Sequence, residues 1–449
     1  MNSSLQQVVR GWVVGLLLGW LLVGCSDHVS YNSDSDEPSH AELDARLTER
    51  ITLEGQRRLQ NFILPDSDDY ASIPQDLRNP LTAGKVSLGK WLFHDAALSQ
   101  SARHPQNAGT FSCATCHHAA AGFEAGAARS IGEGGIGWGT RGEARRPDPS
   151  ISRSGVDSPG LKSQTILNKS YQRLLMYSGA AGTGGDNEGL DDRWVFHPDA
   201  AANHLGYLGM ESQAIGALTK HRLFESEAAS ALIRSHPEYA SLWQSVWPDD
   251  SVTTERIGLS IAAYERTVMA NRSPFQRWLK GDKGAMTRVE KKGALVFFSD
   301  ESECTACHTG PALSSMAFYA LGMPDMPGAP PDPGRAGLTG QEVDRFTYKV
   351  PQLYNLSDAG FMGHGSTFRT IREVVDYYVE GVPAVNLPPD RLPDQFRELS
   401  LSDQEVSDLI AFLETGLRDP DLMRYQPTSV PSGTCIPAND PLARQQLGC

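Results

Sequence analysis

The chain has no apolar run long enough to cross a bilayer. Its longest, Val13 to Val23, is eleven residues broken only by glycines and Trp20, where a membrane helix needs about 20. A basic excess is missing too. Forty Lys and Arg stand against 54 Asp and Glu, a net charge of −14; this argues against a nucleic-acid binder, which carries a basic footprint, and leaves room for a basic protein partner. Aromatics are sparse at 8%, and strand-like runs are sparser. The glycines at 132–139 form no phosphate loop, since no strand precedes them and no Gly-Lys-Ser/Thr follows. Apolar content is not lacking: 40% of 449 residues is enough for real cores in two or three domains and excludes wholesale disorder.

The short apolar run follows Arg10 and suits a signal-peptide core. It ends Leu22-Val23-Gly24-Cys25, similar to a bacterial lipobox, in which cleavage precedes a cysteine that is then lipidated. The alternative is an ordinary signal peptide in which Cys25 is incidental. A diacylated Cys25 would anchor the protein stably, and Ser26 behind it favours the outer membrane over the inner by resemblance to sorting rules. The expectation is a periplasmic body on a lipid anchor, with a signal peptide over 1–24. Residues 26–44 carry six acids and no Lys or Arg, so 25–50 is expected to be an acidic flexible stalk.

Four of the remaining cysteines form two identical patterns, Cys113-Ala114-Thr115-Cys116-His117 and Cys304-Thr305-Ala306-Cys307-His308. Cys-x-x-Cys-His is the attachment motif of c-type haem: the thiols add to the vinyl groups, and the histidine becomes the proximal iron ligand. A redox dithiol or half of a zinc site are the rivals, and the repetition on an exported chain favours two covalently bound haems c. Cys435 and Cys449 are left to pair as a disulfide in the oxidising periplasm or to remain as two thiols near a frayed end.

Similar helical stretches precede both motifs, Val86 to Phe93 and Glu290 to Phe298. Thr287 and Glu290 make a capping box for the second, as do Ser402 and Glu405 for a helix with a Val406, Leu409, Ile410 and Leu413 stripe. Ile257, Ile261, Tyr264 and Val268 mark another amphipathic helix. The expected fold is mostly α: two tandem cytochrome c-like haem domains with long loops. The N-terminal haem domain spans 51–283, the C-terminal one 284–425, and a tail 426–449.

Motifs then occur in order: Asn79-Pro80-Leu81-Thr82, Leu88-Gly89-Lys90-x-Leu92-Phe93-x-Asp95, Ser112-Cys113-x-x-Cys116-His117, Thr165-Ile166-Leu167-Asn168, Tyr264-Glu265-Arg266-Thr267, and Val350-Pro351-x-Leu353-x-Asn355 before His364. From about Leu64 to Leu417 the chain resembles the bacterial di-haem cytochrome c peroxidase and MauG family. The resemblance implies a peroxidatic N-terminal haem on His117 and an electron-transferring C-terminal haem on His308. In reductively activated members a histidine caps the resting peroxidatic iron; here that position is Glu133, and no histidine lies between His118 and His197. His118 is expected to be exposed or to face a propionate. In the segment Phe361 to Phe368, His364 is expected between the haems as a hydrogen-bonding residue. Fourteen residues on, where peroxidases carry an axial methionine and MauG a tyrosine, stands Tyr378. Tyr378 is thus the expected second iron ligand beside His308, with Met362 or water as alternative.

Several positions depart from the family. The inter-haem tryptophan falls on Tyr177, and Trp194 lies in the insertion that follows. The distal glutamine matches Gln213, but the distal glutamate falls on Leu223, leaving His221 and Glu225 as substitutes to move a proton during peroxide cleavage. A calcium-binding asparagine falls on Lys162, which puts that ion in doubt. The resulting expectation is a MauG-like di-haem peroxidase that reduces H2O2. It would exchange electrons with a small cytochrome c or cupredoxin, or with a protein substrate. Family members are often homodimers. A plain H2O2-scavenging cytochrome c peroxidase and a non-enzymatic electron-transfer cytochrome are the alternatives.

Overall fold

Amphipathic spacing and helix caps close the chain into helices joined by long loops in the computed structural model, which describes residues 37–52, 58–249 and 251–449. In chain order the α-helices are α1 (His40–Thr52), α2 (Ala83–His94), α3 (Gly209–Lys220), α4 (Ser226–Ser235), α5 (Pro237–Val246), α6 (Thr254–Arg266), α7 (Pro274–Leu279), α8 (Arg288–Phe297), the turn α9 (Cys304–Cys307), α10 (Ala336–Thr339), α11 (Leu356–Ala359), α12 (Ile371–Glu380), α13 (Asp403–Ala411) and α14 (Pro441–Leu447). Among the described residues, strands are confined to two short antiparallel pairs: β1 (Gly135–Ile136) with β2 (Arg146–Pro147), and β3 (Phe318–Tyr319) with β4 (Tyr348–Lys349).

The two haem motifs sit in equivalent frameworks. Helix α2 crosses α6, and α8 crosses α13. Both crossings need a glycine: a Cβ at Gly89 would stand 1.8 Å from the Ser260 carbonyl oxygen, and one at Gly293 1.9 Å from that of Asp408. Each motif is thus preceded by a helix that packs backbone to backbone on the closing helix of its own unit. The expected capping boxes form at Thr287–Glu290 and Ser402–Glu405. The fold is mostly helical with tandem cytochrome c-like units, as the sequence implies.

Two expected boundaries move. Residues 40–50 are not a flexible stalk: α1 buries Leu43, Leu47 and Ile51 at helical spacing, Trp278 Nε1 donates to Asp44 at 2.7 Å, and Lys291 pairs with the same carboxylate at 2.7 Å. The acidic composition hid this stripe. The core of the second unit also crosses the expected 283/284 division. Phe62, Leu64, Ile73, Met269, Phe275 and Trp278 pack with Phe297, Phe298 and Phe412, while Leu88, Phe93, Phe111, Ile261 and Tyr264 form the first core. The signal peptide and Cys25 lie outside the described residues. No described helix is long and apolar enough to cross a membrane.

Cys435 and Cys449 are joined by a disulfide. The tail it closes returns to the first unit, where Ala438 bridges Phe111 and Thr115 Oγ1 donates to the Pro437 carbonyl at 2.6 Å. Arg145 and Asp440 form a buried pair at 3.0 Å.

Candidate haem sites

At the first motif a single turn presents both thiols and the imidazole. The Cys113 carbonyl accepts from the Cys116 and His117 amides, and Thr115 Oγ1 accepts from the Ser112 amide at 2.9 Å. His117 Nδ1 lies 3.3 Å from the Phe123 carbonyl, and His308 Nδ1 lies 3.0 Å from that of Leu313. A backbone acceptor on Nδ1 fixes the tautomer and leaves Nε2 as the ligand atom. Burial lowers His117 to about 4 and lowers His308 too, so both rings are neutral, as iron ligation requires. Among the described residues the four motif cysteines form no disulfide. Burial pushes Cys116 up to about 12 and Cys304 to about 11, the opposite of the acidified thiol of a redox dithiol.

Glu133 is fully buried with Arg222 Nε 2.6 Å from its carboxylate, and it also accepts from the His104 amide at 3.0 Å. The next residue to Arg222, His221, places Nδ1 2.9 Å from Asp157 Oδ2. Backbone bonds join Asp157 to Glu133 and Gly132, so the two ion pairs form one patch. Burial alone would raise the Asp157 carboxyl, but His221 and Arg222 bring it below its ordinary value. His221 lies near enough to His117 to influence it electrostatically. Sequence reasoning missed Asp157 and Arg222, whose partners lie far away in the chain. Gln213 sits half-buried on α3, and Leu223 is buried in the first core.

Two residues do not stand where the sequence suggested. Glu225 is an exposed N-cap of α4, accepting from the Glu227 and Ala228 amides at 3.0 and 2.7 Å. Its carboxylate is committed to the helix end, not to a distal proton. His118 is not exposed: it is 2% exposed and packs edge-on to Trp138, centroids 4.6 Å apart.

The second motif opens on a cavity that is partly open to solvent. Cys304, Cys307, His308, Met362, His364 and Tyr378 all line it, so both sequence candidates for the second ligand face the same space. Burial, then the Cys307 and Cys304 sulfurs, hold the Tyr378 hydroxyl well above the ordinary phenol range; a phenolate there requires a cation. His364 Nε2 lies 3.1 Å from Asp325 Oδ1, and its ring stacks on Tyr348. Tyr177 stands 6.3 Å from each of these rings. Trp194 packs elsewhere, against Ala180, Ala200 and Leu338. Lys162 puts a fixed cation in the cavity wall, paired with Glu124, and its amide donates to the His364 carbonyl at 2.9 Å.

The two free Cys-x-x-Cys-His turns, the oriented imidazoles and the cavity together fit covalently bound haem.

Comparison with known proteins agrees. A family model described as di-haem cytochrome c peroxidase matches residues 83–284. The cytochrome-c peroxidase IdrP1 of Denitromonas iodatirespirans is 30% identical, over 76% of this chain and 84% of its own. The methylamine utilization protein MauG of Methylophilus methylotrophus is 28% identical, over 79% of this chain and 88% of its own. The crystal structure of a MauG-like protein associated with microbial copper homeostasis shares the fold, with a TM-score of 0.59 and 22% identity over 81% of this chain and 97% of that one.

Proposed function

Because the chain belongs to the di-haem cytochrome c peroxidase family, we propose that this oxidoreductase reduces H2O2 at the His117 haem in the manner of MauG and shares oxidising equivalents with the His308 haem. Bound haem would supply the redox chemistry of peroxide reduction and electron relay. The residues supply the rest. Cys113 and Cys116 would hold the first haem and Cys304 and Cys307 the second, with His117 and His308 as the iron ligands of each. Tyr378 would be the second protein ligand of the His308 haem.

The observation that carries this reading is Glu133. It occupies the position of the capping histidine and is held away from that role by Arg222 at 2.6 Å. His221, oriented through Nδ1 by Asp157, keeps Nε2 to hold or move a proton during peroxide cleavage; Gln213 orients peroxide from α3. Tyr177 and His364 bridge the units. The acidic surface, at net charge −14, suits a basic small redox protein as electron source. The protein acts in the periplasm, tethered through Cys25.

Met362 on the same cavity favours a second reading, a scavenging peroxidase with a methionine-ligated second haem. Stopped-flow spectroscopy of the ferric, haem-loaded protein with stoichiometric H2O2 separates the two. The expected result is a fast spectral change without prior reduction. A reaction that appears only after one-electron reduction would establish the scavenging peroxidase instead, and inertness in both states would leave an electron carrier.

A further inference from the structure

Two lysines face the cavity with less counter-charge than their burial demands. Lys169 is 4% exposed and Lys349 2%, and both line the cavity wall. Their ammonium groups converge on one acceptor: Gln172 Oε1 lies 3.1 Å from Lys169 Nζ and 2.5 Å from Lys349 Nζ. Gln172 is itself anchored, its amide nitrogen donating to Ser314 Oγ at 2.6 Å. Since lysine only donates, the amide oxygen is the atom that must face the pair. Lys169 has a second, longer contact to Gln164 Oε1 at 3.4 Å.

Six N–H donors therefore meet two amide oxygens. Among the described residues no carboxylate lies within ion-pair distance of either lysine, and the nearby Glu124 is taken by Lys162. Two buried like charges on one neutral acceptor are costly. Burial accordingly lowers Lys169 to about 8 and Lys349 well below its ordinary range, the latter pushed further by Lys169. The pair shares its cavity with Cys304, Cys307 and His308. Lys169 lies near enough to His117 to act on it electrostatically, and Lys349 lines the same cavity as His308.

We propose that Lys169 and Lys349 form a carboxylate-binding site that receives the propionate side chains of the haem at His308. This rests on the reading of the cavity as a haem site. A c-type porphyrin carries two carboxylates, the two negative charges that the lysines lack. Their binding offsets the repulsion between the ammonium groups and keeps both protonated. In return, the two cations stabilise the reduced form of that haem, which carries one more negative charge than the oxidised form.

The experiment uses the full-length, haem-loaded protein and its Lys349→Met, Lys169→Met and Lys349→Arg variants. Haem content is read by mass and by pyridine haemochrome, and midpoint potentials by spectroelectrochemistry. Both methionine variants are expected to retain two haems and to shift the midpoint of the His308 haem downward, while Lys349→Arg stays at the wild-type value. Unchanged potentials in fully loaded methionine variants would overturn the lysine assignment alone. So would an equal fall in Lys349→Arg, or a fall reproduced in wild-type protein by removing chloride and phosphate, which would make a free anion the occupant. Wild-type protein with no haem on Cys304 and Cys307 would overturn the cavity reading itself.

Discussion

Tyr348 stacks on His364, ring centroids 4.0 Å apart and planes 17° from parallel. Strand alternation explains how it gets there: on β4, Tyr348 and Lys349 project to opposite sides, one onto His364 and the other onto Gln172. With Tyr177 6.3 Å from both rings, three conjugated side chains stand together at the cavity wall. In the proposed relay, Tyr348→Leu removes one of the three rings. It is expected to slow electron transfer between the haems roughly tenfold, equivalent to about 1.4 kcal/mol on a barrier. Tyr348→Phe keeps the stack and should retain most of the rate. Flash photolysis of the half-reduced protein measures both; an unchanged rate in Tyr348→Leu takes this residue out of the path.

The paired glycines make a symmetrical prediction. At Gly89 and Gly293 the obstructing atom is a backbone carbonyl, at 1.8 and 1.9 Å, and no side-chain rotation relieves it. Alanine at either position is expected to destabilise the protein by at least about 1–3 kcal/mol, the ordinary cost of overpacking. Each change should loosen its own unit first. Thermal melts followed at the two haem absorption signals would show it, and wild-type stability in either variant would mean that the helix crossing is looser than described.

What the sequence made legible was what chemistry writes locally. Cys-x-x-Cys-His, the capping boxes at Thr287 and Ser402, and the Val406–Leu409 stripe each have a short-range signature. The patch around His221 has none: Asp157 meets His221 across 64 positions, and Arg222 meets a Glu133 that reads as a loop residue. Gln172 and Lys349 lie 177 residues apart. Glu225 was misassigned because a carboxylate just before a helix reads equally as a cap or as a catalytic group. Only the amides of Glu227 and Ala228 decide between them.

Glu265 sets a pH dependence whose sign follows from its burial. It is 4% exposed, and its Oε2 has no hydrogen-bond partner among the described residues. Burial and then the Glu211 carboxylate raise it to about 8, against the pull of Arg266; Arg266 is itself committed to Glu211 at 2.5 Å. In the unfolded chain a glutamate ionises near pH 4.3, so between about pH 4.3 and 8 the folded protein holds a proton that the unfolded one has lost. Stability therefore falls as pH rises through that interval. Glu265→Gln is expected to flatten this fall and to gain on the order of 1 to a few kcal/mol at pH 8. Melting curves from pH 5 to 9 check it; a variant whose profile runs parallel to wild type would mean that Glu265 is charged in the native state.

The tail offers a test that separates the two haem units. The Cys435–Cys449 bridge closes a separation of 14 residues, for which chain entropy predicts about 3 kcal/mol. Its loop carries Pro437, which accepts from Thr115 Oγ1 inside the first attachment turn, and Asp440, which pairs with buried Arg145. Among the described residues no comparable disulfide-closed strap holds the Cys304–His308 turn, whose imidazole bonds to Leu313 of its own unit. Cys435→Ser, or reduction of the wild-type disulfide, should therefore lower the melting temperature. It should also raise amide exchange across 112–118 while leaving 304–308 near its wild-type rate. Equal loosening of both turns would mean that the tail stabilises the body as a whole and does not brace the first haem site.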